Sequence, residues 1–488
     1  MEPLTWTGAL GPVLTPLMMA AVAVFLLALV ANLGLSFAGS KSGEIAYENG
    51  QAVLVSRSPL DYATMAMKYA VLLFLACCLA YIVAGMVIPD AQTKGIIATL
   101  AGRLTPVWIA LVVTFALSIR FKRRLGLYGK LFDSMIGMIG FGIVMFWVFA
   151  AVFGGPLDMI VTHDPLNQIS GMKNEIPGSP VPDAAERGIY PYYLLGGDNL
   201  ARDVFSRMIE GGWEVMKIAP FATLFAFMVG ITLGLPAGFY GGRLDTFLSF
   251  LANLILAFPV ILLFYLLVTP EIVATGIPVY MAAVLFLFPI IFVTVLVNSR
   301  YHTQPAIRTP VLAVILVVLG WLYLSLVHQQ GSRIDFLGPL AFLDLFDIPG
   351  GILVVFVAVM FVNSPTVFRI VRGLTMDIKT RDYVAAGQTR GEGPWYIMLW
   401  EILPNARGPL IVDFCLRIGY TTILLGTLGF FGLGLPPESP DWGSTINEGR
   451  KLLSIYLHPA LPPALSLLSL VLGLNLLADG LREESLRD

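Results

Sequence analysis

Long apolar blocks recur along this sequence, and they decide what it can become. A helix needs about 20 predominantly apolar residues to cross a bilayer, and it must satisfy its own backbone polar groups because no water reaches the hydrocarbon. By that measure spans are expected at 12–37, 64–89, 94–119, 134–155, 214–238, 244–268, 278–298, 309–327, 350–371, 408–433 and 459–480. The expected fold is therefore an all-α polytopic membrane protein of about eleven transmembrane helices. Composition agrees: 57% of the 488 residues are hydrophobic and 13% charged. A soluble domain carries about 25% charged residues, and this chain has too few to cover a water-facing surface. The first block has neither a basic segment before it nor a small-residue cleavage site behind it. It reads as a retained span, not a cleaved signal peptide.

Basic residues collect on the cytoplasmic side of spans. Arg120, Lys122, Arg123, Arg124 and Lys130 stand against Asp133 alone, and Arg369, Arg372, Lys379, Arg381, Arg390 and Arg407 crowd 369–407. Both stretches are expected inside, as is the short loop with Arg300 and Arg308. The hydrophilic stretch 156–212 has more acids than bases and is expected outside. Eleven crossings then put the N-terminus outside and the C-terminus in the cytoplasm.

A net charge of −2 supplies no basic field for nucleic acid. Cys77, Cys78 and Cys415 lie within apolar stretches, and His163, His302, His328 and His458 are scattered. Neither set has metal-ligand or disulfide spacing, so no metal site is expected. The sequence has no Walker A motif, no HExxH, no GxSxG between a strand and a helix, and no paired carboxylates within a span. The chain is expected not to be an enzyme. Asp413 and Arg417 are one helical turn apart near the inner end of a span. A helix-internal ion pair is favoured there over a pore site.

Residues 376–407, MDIKTRDYVAAGQTRGEGPWYIMLWEILPNAR, are too polar to span. Their pattern predicts one short helix over Asp377–Thr389, a break at Gly391–Pro394, and a second over Trp395–Leu403 that Pro404 ends. Tyr383, Val384, Trp395 and Ile397 are expected to form an exposed apolar face that wants a partner. The alternative is an amphipathic loop lying on the membrane surface.

The same stretch resembles the EAA loop of dipeptide/oligopeptide-type, binding-protein-dependent ABC permeases. Ala385, Ala386 and Gly387 occupy the triplet, Gly391 follows after three residues, and Leu403-Pro404-Asn405 closes the motif. Ala385 stands where the family has glutamate, Gly387 where it has a second alanine, and Glu401 where histidine often precedes the closing LPN. Leu195–Arg207 resembles the family's LGTDxLGRDVLSR block, with Gly197 for threonine and Ala201 for glycine. Further matching marks are Gly234–Tyr240 with Gly241, Gly242 and Asp245; Ala257-Phe258-Pro259; Gly432-Leu433-Gly434 with Pro436-Pro437; Trp442-Gly443; Asn447-Glu448-Gly449; and Asn475–Arg482. Together they cover 134–268 and 350–488.

This resemblance implies a six-span type I importer core at 134–155, 214–238, 244–268, 350–371, 408–433 and 459–480. Residues 1–130 then add about three spans by length. Residues 131–269 hold the first part of the core with outer loop 156–212, residues 270–349 an inserted pair, and residues 350–488 the second part. It also implies that the 376–407 loop couples to a cytoplasmic ATPase through Tyr383, Ala385, Ala386, Gly387, Gly391, Trp395, Leu403, Pro404 and Asn405. The implied partners are a second permease subunit or identical copy, two ATPase subunits that hydrolyse ATP, an extracytoplasmic substrate-binding protein, and membrane lipid. No cofactor would be held by this chain. The cargo would be peptides or a related small solute.

Asp198, Arg202, Asp203 and Arg207 form two acid-first pairs at i, i+4. They read as a salt-bridged element at the outer mouth, or as a contact for the binding protein. Glycines 234, 238, 241 and 242 allow close helix approach or tight turns, and Pro259 can kink its span or merely shape it. The alternative function is a secondary transporter, which needs midplane ion sites and a repeat between halves. Neither is visible.

Overall fold

The computed structural model describes residues 2–38, 45–48, 51–54, 58–330, 350–433 and 439–485. The chain is an all-α polytopic membrane protein: among the described residues ten helices are long and apolar enough to cross a membrane, or eleven with one bent pair. Each expected span finds its helix. Two small antiparallel ribbons, Ile45–Glu48 with Gln51–Leu54 and Ser179–Pro180 with Tyr192–Tyr193, are the only strands among the described residues.

Two spans differ from expectation. The third, read as 94–119, divides into a short helix Ala91–Arg103 and the crossing helix that begins at Thr105. Asp90 caps the short helix by accepting from the Thr93 N–H at 2.9 Å. The sixth breaks where Pro259 was expected to kink it. Gly242–Leu256 and Val260–Val268 meet at 81°, because the proline has no N–H to continue the ladder and restricts the residue before it.

The chain divides into two compact units: 1–108 with 169–203, and 109–168 with 204–488. In the first, the helices Gly11–Phe37 and Pro59–Val87 lie side by side, tied by the Asn32 amide donating to Thr64 Oγ1 at 3.0 Å. Ile169, Met172, Val181, Ala184, Tyr193 and Ala201 form a separate small core.

The second unit is built on the long helix Val204–Tyr240 packed along Gly350–Ile378. The two helices meet along glycines at four-residue spacing. A Cβ at Gly230 would strike Val367, one at Gly234 would lie 2.9 Å from Val371 Cβ, and one at Gly238 would lie 2.7 Å from Thr375 Cβ. Small residues at that spacing let two backbones approach in lipid, where no hydrophobic force drives helices together. Gly230 extends the stripe by one turn beyond the glycines recognised in the sequence. Met135–Gly154 and Leu461–Ser485 make a second close pair, with Gly137 and Gly480 facing each other.

Several polar groups within the bundle are matched. Arg417 Nε donates to Asp413 at 2.6 Å inside the helix Leu403–Phe430, as expected, and the buried guanidinium also reaches Asn363 Oδ1 at 3.5 Å. The Asn363 amide donates to Thr421 at 3.3 Å, and Thr421 meets Thr223 at 3.2 Å. Arg372 grips Asp245 with two bonds, one of them Nη2 to Oδ2 at 2.6 Å.

Gly234→Leu is expected to wedge the central pair apart at a cost of about 1–3 kcal/mol, read as lost membrane accumulation and a lower thermal midpoint. Gly373, exposed and with open space where a side chain would stand, serves as the control. Gly373→Ala should leave accumulation intact and raise the midpoint slightly through helix propensity of about 1 kcal/mol.

Candidate functional site

The polar stretch after Gly350–Ile378 departs from the expected pair of helices at both ends. That span carries through Asp377 and Ile378, so the short helix starts at Asp382 and ends at Thr389. Arg381, in extended conformation, turns the chain between them. The short helix ends on Gly391, whose φ of +79° lies in the left-handed region. Its N–H reaches the Gln388 carbonyl at 3.0 Å, and the next N–H, of Glu392, reaches back to Gly387 at 3.3 Å. These two bonds satisfy carbonyls that a helix end leaves open. Space around Gly391 is free, so backbone conformation, not crowding, requires glycine.

Pro404 was expected to end the second helix, and it does not. Pro394 opens a helical run that continues through Ile397–Ile402 as a π-helix and on into Leu403–Phe430. In α geometry the Pro404 ring would clash with the Trp400 carbonyl, and the wider i→i+5 turn makes room for it. Asn405 then donates its side-chain amide to the Glu401 carbonyl at 2.6 Å. The last two residues of the closing LPN thus act locally and together, since the proline lacks a donor and the asparagine side chain supplies one.

The apolar face is split, not wholly exposed. Val384 and Ile397 are buried at 0% and 2% exposure, whereas Tyr383 and Trp395 remain 39% and 37% exposed. Val384, Ile397, Met398, Leu399, Ile402 and Ala406 share a cluster with Phe227, Leu235, Val367 and Val371 of the two central helices. Gly387 is buried beside Glu401, Leu403 is half-buried, and Ala385, Ala386, Pro404 and Asn405 are exposed. Arg390, capping the short helix, pairs with Glu401 Oε1 at 2.6 Å. A half-exposed pair of this kind adds about 0–1 kcal/mol, but it sets the angle between the two limbs. Sequence reasoning missed it because eleven residues separate the partners.

In the Leu195–Arg207 block the first of the two expected pairs forms. Asp198 and Arg202 meet at 2.6 Å with both side chains buried, but across a tight turn and not on a helix. Asp198 Oδ1 accepts from the N–H groups of Leu200 at 2.8 Å and Arg202 at 2.9 Å. Ala201 sits in the turn at φ +63°, and glycine stands at this position in the block it resembles. Asp203 is buried. Arg207, fully buried in the first turn of Val204–Tyr240, donates to Thr445 Oγ1 at 3.2 Å and the Ser439 carbonyl at 3.3 Å, with Glu448 at 3.9 Å. Trp442 lies next to these groups in sequence, its indole donating to the Met208 carbonyl at 2.7 Å. Asp441 caps the helix Trp442–Arg450 through the Ser444 N–H at 3.0 Å. Burial pushes its carboxyl above the ordinary range, opposed by Ser444 and Arg207. Of the terminal motif glycines and prolines, Gly434, Pro436 and Pro437 lie outside the described residues.

Residues 230–483 match the family described as binding-protein-dependent transport system inner membrane component. That range holds the glycines at 230, 234 and 238 and the whole of the Asp382–Ile402 segment. The chain is 29% identical over 301 residues to the glutathione transport system permease protein GsiD of Pectobacterium atrosepticum, covering 62% of this chain and 74% of the relative. It is 29% identical over 307 residues to the dipeptide transport system permease protein DppC of Haemophilus influenzae, covering 62% and 77%. A DppC of Alkalihalophilus pseudofirmus is 23% identical over 358 residues, covering 73% and 87%.

Ala201→Gly should relieve the left-handed strain and raise the thermal midpoint by an amount equivalent to about 1 kcal/mol; a lower midpoint would refute the strain. For Asp441 the raised carboxyl means stability is present below the ordinary carboxylate range and lost as pH climbs through the raised value, levelling above it. Asp441→Asn keeps the cap and removes the titration. The midpoint of the parent minus that of the variant is therefore expected to fall as pH rises above the ordinary carboxylate range.

Proposed function

This chain belongs to the family of binding-protein-dependent transport system inner membrane components, and we propose from that premise that it passes peptides or a related small solute through the inner membrane. It would form half of a translocation pathway with a second permease subunit. A binding protein would deliver solute at the outer face, and two cytoplasmic ATPase subunits would supply the work. The dipeptide and glutathione names of its relatives support a peptide cargo. Nucleotide is hydrolysed by the partner, and this chain contributes motion. Stretches 120–133 and 369–407 then face the cytoplasm and 156–212 the outside, with the C-terminus inside and the N-terminus out.

The observation that carries the coupling role is the two-faced build of Asp382–Ile402. One face, through Val384, Ile397 and Ile402, is buried in the cluster that joins the central helices. The other leaves Tyr383, Ala385, Ala386 and Trp395 open to a partner. Small side chains between aromatic ones suit a helix seated in a groove. Three residues separate the short helix from Gly350–Ile378, and the second limb is continuous with Leu403–Phe430. A push on the short helix therefore reaches two spans with little slack, which an ATPase-driven rearrangement of rigid elements requires. The buried Asp198–Arg202 turn supports a structural role for the outer block, as a rigid mouth rather than a contact surface.

Two substitutions test the coupling role in cells that depend on this importer. Trp395→Asp places a charge on the docking face, and Gly391→Pro cannot adopt the left-handed turn. Each is expected to lower uptake at least about tenfold, a loss of about 1.4 kcal/mol or more in coupling, at normal subunit level. Normal uptake by Trp395→Asp would remove the docking face from the mechanism.

A further inference from the structure

Residues 270–349, an added pair of spans to which the sequence gives no role, meet the coupling segment along one helix and at the turn that closes it. The helix Leu287–Arg300 ends there. Trp400, in the middle of the π-helix, donates its indole N–H to Ser299 Oγ at 3.1 Å, and Ser299 is buried. The Arg300 guanidinium lies over the Trp400 ring at 4.7 Å. His302 sets its ring against Tyr396 at 5.6 Å and its Nε2 3.7 Å from Glu392. Phe292, Val295 and Leu296 of the same helix pack on the cluster that buries Ile397 and Ile402.

We propose that the Ser299–His302 turn is a splint for the lever, with Ser299 and Arg300 as positioning residues. The proposal rests on the coupling role given above. A π-helix is a poor strut: its i→i+5 bonds are less favourable than α bonds, and it occurs mostly as single turns. Here it lies between the docking helix and the span that must move. Ser299 and Arg300 meet that weak point directly at Trp400, and His302 holds the limb just before it at Tyr396 and Glu392. An indole held by one hydrogen bond and one cation keeps its limb from bending independently of the bundle. The added pair thereby acquires a role in force transmission, beyond packing at the periphery.

The test uses the whole importer, with its ATPase and binding protein, in proteoliposomes. Two readings are taken: ATP hydrolysed per solute moved, and a disulfide cross-link from Ala386→Cys to the ATPase. Arg300→Gln changes an exposed side chain, so folding is not at stake. Together with Ser299→Ala it is expected to raise ATP consumed per solute about fivefold while the cross-link persists. Arg300→Lys, which keeps a cation over the indole, should restore most of the ratio. An unchanged ratio in both Arg300→Gln and the double variant, with the cross-link intact, overturns the splint. A missing cross-link in the chain altered only at Ala386 overturns the coupling role itself.

Discussion

The seam between Val204–Tyr240 and Gly350–Ile378 sets the spacing on which the rest of the second unit depends. With Gly230, Gly234 and Gly238 on one side and Val367, Val371 and Thr375 on the other, it leaves no room for a further side chain. Helices in lipid gain little from hiding apolar surface against each other, so contact area and close fit must do the holding. At the end of this seam Lys379 donates to the Gly238 carbonyl at 2.8 Å and Arg372 clamps Asp245. Both fasten the helix just before the chain turns into Asp382–Thr389. The short helix Asp382–Thr389 is therefore hung from a closely packed part of the bundle.

The interior of that bundle also shows how ionisable groups are carried through an apolar medium. Arg417 does not stand alone: Asp413 one turn away neutralises it, and Asn363 and Thr421 extend the matched groups across to Thr223. Breaking one member of such a set costs more than the set contributes, because a charge is then left without its counter-ion. The polar seam thus fixes the register of three helices, and the glycine seam fixes the distance between two of them.

Span number and order were readable because hydrocarbon imposes a length and an apolar composition on every crossing, and both survive any tertiary arrangement. Local geometry was less so. The 81° break at Pro259 needed knowledge of whether neighbours would tolerate a corner. Pro404 reads as a terminator by any rule of propensity, and only the π-turn ahead of it lets the helix run on. Val384 and Ile397 look like partner-seeking residues in a polar loop, yet they are taken up by Phe227 and Val367 from distant parts of the chain. For Asp198 and Arg202 the spacing was right and the helix wrong. The signal was present in the resemblance, since glycine at position 201 marks a left-handed turn. Arg390–Glu401 and Trp400–Ser299 join residues with no periodic relation, so nothing in the sequence announced them.

The corner at Ala257-Phe258-Pro259 interrupts a helical ladder inside an apolar stretch. Gly242–Leu256 rises about 22 Å before it, so a corner there frees carbonyls that a continuous helix would satisfy. All three residues are exposed. Within hydrocarbon, open carbonyls of that kind are tolerated only against other protein or a wetted passage, never against acyl chains.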